Sequence, residues 1–161
     1  MLITVYSEEE MISLGKLLAR VLDNNDVVYL TGELGAGKTT LVRGIARGFG
    51  YTGRVNSPTF TLMNIYTAEI EIFHFDFYRL QGDDLADLGL EEYLEKDGLS
   101  LIEWPQITDD QYTLEAGYLL VNIELVEEDY ERERLVTLSG RGGRYQAKVE
   151  ELKVYANTGN R

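Results

Sequence analysis

The chain has 161 residues, 44% of them hydrophobic, with 15 basic against 28 acidic side chains and a net charge of −13. This length makes one domain the default, the apolar content supports a core, and the charge argues against direct, tight binding to nucleic acid. The absence of cysteine excludes a disulfide framework, a thiolate metal site and a cysteine nucleophile.

Leu2 to Tyr6 reads as a first strand. Ser7 suits a helix N-cap, with Glu10 three positions on as in a capping box. Met11, Leu14, Leu17, Leu18, Val21 and Leu22 then form the apolar stripe of a helix that Asp23-Asn24-Asn25 ends. Asp26 to Thr31 is a short run of strand formers. It leads into Gly32-Glu33-Leu34-Gly35-Ala36-Gly37-Lys38-Thr39, the full pattern G-x-x-x-x-G-K-[ST]. Its glycines let backbone N–H groups turn toward phosphate oxygens, Lys38 can reach the β- and γ-phosphates, and the Thr39 hydroxyl can ligate magnesium. Leu41, Ile45, Gly48 and Phe49 recur at helical spacing after it, and Gly50 suits a stop. Strand, glycine loop and helix is the order that such a motif requires.

Ser57-Pro58-Thr59-Phe60-Thr61 occupies the place of a switch that senses the γ-phosphate, through Ser57 or Thr59; an ordinary loop-to-strand transition would read the same. Thr59 to Tyr66 and Glu69 to Leu80 form two strand-like runs about a turn near Thr67-Ala68, an antiparallel hairpin. In the second run Ile72, His74, Asp76 and Tyr78 share one face, and Phe73, Phe75, Phe77 and Arg79 the other. His74 is the only histidine in the chain, and structural and functional roles are both open to it. Asp83 to Asp97 is acidic but interrupted by leucines, which reads as one or two short helices with a solvated or docking face.

Leu99 to Ile102 is an apolar strand that ends in Glu103, ahead of Trp104-Pro105. Ligands bind at the carboxyl ends of strands in open α/β sheets, so Glu103 and Asp76 are the two candidate carboxylates for holding a metal. Tyr118 to Val126 and Arg132 to Leu138 read as two further strands. From Ser139 onward the chain turns basic, which reads as a solvated, partly frayed end more readily than as a contact for an acidic partner. The expected organisation is an α/β domain over residues 1–140, with a parallel core and antiparallel additions, and a tail at 141–161, helical or partly disordered. No stretch is apolar enough to cross a membrane and no export signal opens the chain, so a cytoplasmic protein is expected.

The phosphate loop, Ser57-Pro58-Thr59-Phe60-Thr61, His74-Phe75-Asp76-Phe77-Tyr78-Arg79-Leu80 and Glu103-Trp104-Pro105 together closely resemble the TsaE family, over about residues 2 to 138. The resemblance implies a three-layer phosphate-loop fold and a magnesium-dependent ATPase in the biosynthesis of threonylcarbamoyladenosine in tRNA. It also implies action with TsaB and TsaD, and with tRNA only through that complex. It assigns phosphate binding to Gly32, Gly35, Ala36, Gly37, Lys38, Thr39 and Thr40, and magnesium to Thr39 and Glu103. It puts Asp76 beside the γ-phosphate or attacking water, and Ser7, Glu8 and Arg134 at the nucleotide. Lys38, Asp76 and Glu103 are thereby the catalytic candidates. The family usually has aspartate where Glu33 stands.

A GTPase is disfavoured, because neither Asn-Lys-x-Asp nor Asp-x-x-Gly occurs. A small-molecule kinase with an arginine-rich lid is disfavoured too, since only Arg54 and Arg79 lie between Gly50 and Ala116. A nucleotide-sensing module, in which the bound state and not hydrolysis instructs partners, stays open beside the ATPase reading.

Overall fold

A computed structural model describes residues 1–58, 61–77, 90–104, 116–126 and 133–158. The elements in chain order are β1 (Leu2–Val5), α1 (Glu8–Ala19), β2 (Val27–Gly32), α2 (Lys38–Gly48), β3 (Met63–Thr67), β4 (Glu71–Asp76), α3 (Leu90–Glu95), β5 (Leu99–Trp104), β6 (Tyr118–Leu125), β7 (Arg134–Arg141) and α4 (Gly143–Thr158). Seven strands form one sheet in the order β1-β7-β6-β2-β5-β4-β3. β6, β2, β5 and β4 are mutually parallel, and the pairings β1–β7, β7–β6 and β3–β4 are antiparallel. The expected mixed sheet with a parallel core is what forms.

Both faces of the parallel strands are covered, which is why β2 reads as a nearly continuous apolar run. On one face Val28, Leu30, Ile72, Leu99, Leu101, Leu119 and Val121 pack with Met11, Leu14 and Leu18 of α1 and Leu41 and Ile45 of α2. On the other, Val27, Tyr29, Phe73, Phe75, Phe77 and Ile102 pack together, with Tyr93 and Leu94 of α3 against them. The alternation expected in β4 is therefore borne out, since its phenylalanines and its Ile72 belong to opposite clusters.

Helices α1 and α2 meet at two glycines. A Cβ placed on Gly44 would lie 2.4 Å from the Ile12 carbonyl oxygen and 2.9 Å from Gly15 Cα. The crossing brings the backbones closer than any side chain allows and seats the helix that follows the phosphate loop firmly on the sheet.

Several boundaries differ from expectation. β3 begins at Met63, because Leu62 adopts φ 65 and its N–H bonds back to the Pro58 carbonyl at 2.8 Å. The hairpin turn falls at residues 68–70, where the Ala68 N–H donates to the Ile70 carbonyl at 3.1 Å. β7 continues to Arg141. The expectation of a solvated, partly frayed end needs correction for residues 143–158, which form a helix that buries Tyr145, Val149 and Leu152 in the main core. The basic residues describe only its outer side, and two of them have buried work. Asp26, fully buried, lies 2.7 Å from Arg144 Nη2 and 3.0 Å from Lys148 Nζ. The Tyr145 hydroxyl accepts the Val27 N–H at 2.9 Å, which fixes α4 to the start of β2. Thr59, Tyr78, Arg79, residues 83–89, Pro105 and Arg132 lie outside the described residues.

Candidate nucleotide-binding site

The phosphate loop joins β2 to α2 at the carboxyl end of the parallel strands. Gly37 caps α2 with φ 113, a left-handed conformation open to glycine, and no acidic residue stands in the helix's first turn. The positive end of α2 therefore faces the space above the loop, an environment that favours an anion. Gly32, at φ 146, leaves the strand where a Cβ would sit 2.4 Å from the Ile123 carbonyl oxygen. A cavity of about 320 Å³ opens above the loop, lined by Leu34, Gly35, Gly37, Lys38, Thr39, Thr40, Ser57, Asp76 and Glu103. The motif's lysine and threonine, the Ser57 segment and the two carboxylates lie well apart along the chain, and they converge here.

Register explains the convergence. Asp76 and Glu103 are directly paired across parallel β4 and β5, so both carboxylates leave the sheet on the face that α2 covers. Asp76 is 7% exposed and Glu103 4%, too little for an ordinary solvated strand end. The Thr39 hydroxyl donates to Glu103 Oε1 at 3.1 Å. The Ser57 hydroxyl donates to Asp76 Oδ2 at 3.3 Å, which ties the candidate switch to the same site. Lys38 Nζ donates to the carbonyls of Gly32 and Glu33 at 2.8 and 2.9 Å. Burial pushes its ammonium below the ordinary lysine value, and the nearby charges of Glu103 and Asp76 oppose that shift.

The remaining candidates lie around the cavity rather than in its lining. Gly32 and Ala36 shape the loop. Ala36 is fully buried, and its carbonyl accepts Arg134 Nε–H at 3.0 Å. Ser7 caps α1, its hydroxyl accepting the Glu10 N–H at 3.1 Å, while Glu10 reaches back to the Tyr6 N–H at 2.8 Å. Glu8 pairs with Arg43 of α2 at 2.9 Å. The β1–β7 register sets Val5 opposite Arg134, which brings Arg134 close to the chain that leads into Ser7 and Glu8.

Two features escaped the sequence reading. Tyr66, on the neighbouring strand β3, bonds the His74 ring at 2.9 Å, and the other ring nitrogen bonds Glu103 at 2.9 Å. Arg47 donates to the carbonyls of Tyr51 and Gly53 at 2.7 and 2.8 Å and shapes the loop that leads to Ser57. The first depends on strand register and the second on loop geometry, and neither leaves a local sequence pattern.

A glycine phosphate loop between a central parallel strand and a helix, with a lysine and paired carboxylates converging over it, defines a P-loop NTPase-like protein. Residues 5–136 match the family described as threonylcarbamoyl adenosine biosynthesis protein TsaE. The chain is 39% identical over 153 residues to the tRNA threonylcarbamoyladenosine biosynthesis protein TsaE of Bacillus subtilis, covering 94% of this chain and 93% of that protein. It is 40% identical over 135 residues to the TsaE protein of Haemophilus influenzae, covering 78% and 84%. The crystal structure of YdiB from Bacillus subtilis superposes with a TM-score of 0.80 at 32% identity, covering 97% of this chain and 95% of that one. The chain belongs to the TsaE family of tRNA threonylcarbamoyladenosine biosynthesis.

Proposed function

We propose that the protein binds and hydrolyses ATP with magnesium and acts with TsaB and TsaD in modifying tRNA. The observation that carries this reading is the meeting of Lys38, Thr39, Asp76 and Glu103 at one cavity above the phosphate loop. Lys38 Nζ donates to two loop carbonyls, and the same ammonium would contact the β- and γ-phosphates of ATP.

The donor set fits magnesium. Among the described residues there is no cluster of three or more histidine or acidic side chains of the kind that cages a metal. What stands here is one hydroxyl bonded to one carboxylate, with a second carboxylate beside it, and magnesium usually takes one or two carboxylates and keeps waters and phosphate oxygens. Thr39 and Glu103 would hold it, and when bound it would neutralise charge developing on the phosphates. Asp76, held by Ser57, would orient a water toward the γ-phosphate. Arg134, bonded to the Ala36 carbonyl, borders the loop, and we assign it together with Ser7 and Glu8 to contact with the nucleotide. The large negative charge suits contact with tRNA through the partner proteins rather than directly. Among the described residues no helix is long and apolar enough to cross a membrane; we propose a cytoplasmic location, as the tRNA pathway implies.

Two substitutions test the site. Lys38→Ala removes about two charge-assisted hydrogen bonds and should weaken nucleotide binding by roughly a hundredfold. Glu103→Gln should retain nucleotide and lose turnover. Normal hydrolysis by Glu103→Gln would show the metal assignment to be wrong. The bond from Ser57 to Asp76 favours a second reading, in which the bound state alone instructs the partners. That reading gains if Glu103→Gln lacks turnover yet still supports tRNA modification in a reconstituted system.

A further inference from the structure

His74 is fully buried on the face of β4 that carries Asp76, yet it is absent from the cavity lining. Register gives it two neighbours. Across β3, Tyr66 is paired with Ile72; across β5, Glu103 is paired with Asp76. Both stand one same-face step from His74, and their long side chains reach it diagonally. A row of three side chains, each at most 4% exposed, therefore crosses three strands. The contacts are Tyr66 Oη to His74 Nδ1 at 2.9 Å and His74 Nε2 to Glu103 Oε1 at 2.9 Å.

A carboxylate can only accept, so with Glu103 ionised Nε2 carries a proton and donates it. The ring meets the Tyr66 hydroxyl at Nδ1. That hydroxyl also lies 3.2 Å from the Asn56 carbonyl oxygen, to which Asn64 Nδ2 donates at 3.2 Å. Asn56 immediately precedes Ser57, whose hydroxyl holds Asp76. The Glu103 oxygen that receives His74 is Oε1, the same one that accepts from Thr39. One end of the row thus fixes the carboxylate, and the other touches the loop that reaches the cavity.

We propose that Tyr66 and His74 are positioning residues. They hold Glu103 Oε1 in the orientation that serves the metal, and they link that orientation to the Asn56–Ser57 segment. Neither contacts nucleotide. The proposal rests on the assignment of Glu103 to magnesium. The partner of a metal-holding group commonly matters this much, because it fixes which lone pair faces the ion.

The test is the magnesium dependence of ADP binding, read by a fluorescent ADP analogue in a magnesium titration and separately without metal. Tyr66→Phe and His74→Leu should each raise the magnesium concentration needed for half-maximal tightening by about tenfold. Affinity for the analogue without metal should stay within about twofold, since neither residue lines the cavity. His74→Gln, whose amide can donate near the position of Nε2, should recover most of the loss. Thermal melts identify variants that are merely unfolded. Folded Tyr66→Phe and His74→Leu proteins with wild-type magnesium dependence would overturn the proposal, as would equal losses with and without metal. If Glu103→Gln itself keeps wild-type magnesium dependence, the metal assignment fails first and the positioning role falls with it.

Discussion

Replacing Gly44 by alanine should destabilise the protein even though the residue lies within helix α2. Alanine at a helix interior ordinarily gains about 1 kcal/mol over glycine. Here the added Cβ would meet the Ile12 carbonyl oxygen at 2.4 Å and the Cα atoms of Gly15 and Ile12 at 2.9 Å. Ordinary contact begins near 3.4 Å, so α1 and α2 must separate by about 1 Å. The obstacles are backbone atoms of a facing helix, which no rotamer change can clear. Overpacking of this kind costs about 1–3 kcal/mol, and a backbone obstacle belongs at the upper end. The net expectation is a loss of about 2 kcal/mol. With a urea m-value of about 2 kcal/mol/M, the midpoint should fall by about 1 M at unchanged slope. Gly143→Ala is the control, since a Cβ there meets nothing within 4 Å, and its midpoint should hold or rise. Adding Gly15→Ala to Gly44→Ala should cost less than the sum of the two, because one separation of the helices relieves both clashes. A Gly44→Ala midpoint equal to or above wild type would show that the α1–α2 crossing has room for the side chain.

Other perturbations follow from the same packing. Tyr145→Phe leaves the Val27 N–H without its acceptor in a buried position and should cost about 1–3 kcal/mol in urea unfolding. Burial pushes the phenols of Tyr66 and Tyr145 up. Above pH 10 the unfolded chain releases these protons while the folded chain keeps them, so their contribution to stability is full below pH 10 and is lost as pH rises through the folded values. Lys38, shifted the other way by burial, carries a penalty that eases as pH climbs toward 10.5. Phenylalanine at both tyrosine positions should therefore flatten the alkaline loss of stability, and an unchanged pH profile would contradict the assignment.

The parts of this protein that sequence carries well are those set by local periodicity and by short-range chemistry. The stripe of α1, the apolar run of β2 and the phosphate loop follow from neighbours along the chain; the loop and β2 form as expected, while α1 stops at Ala19 and leaves Val21 and Leu22 of the stripe buried beyond its end. Asp76 and Glu103 could be nominated as strand-end carboxylates. Their direct pairing depends on the register of β4 against β5, which no local pattern encodes. His74 was legible as an oddity on an aromatic strand, whereas its link to Tyr66 and Glu103 arises only when three strands align. The tail misled for a related reason. Its charges suggested solvent, but Tyr145, Val149 and Leu152 find the core only once the sheet exists, and the buried Asp26 gives Arg144 and Lys148 a partner more than a hundred residues away in the chain.

The proposed activity is ATP hydrolysis at this site in service of partner proteins. Among the described residues no arginine lines the cavity, so turnover alone should be slow and should rise on complex formation. The direct measurement is hydrolysis by the purified chain, alone and with TsaB and TsaD, with GTP and Lys38→Ala as controls. ATP-selective turnover, stimulated by the pair and abolished by Lys38→Ala, is the expected result. Turnover indifferent to the pair, or a preference for GTP, would contradict it.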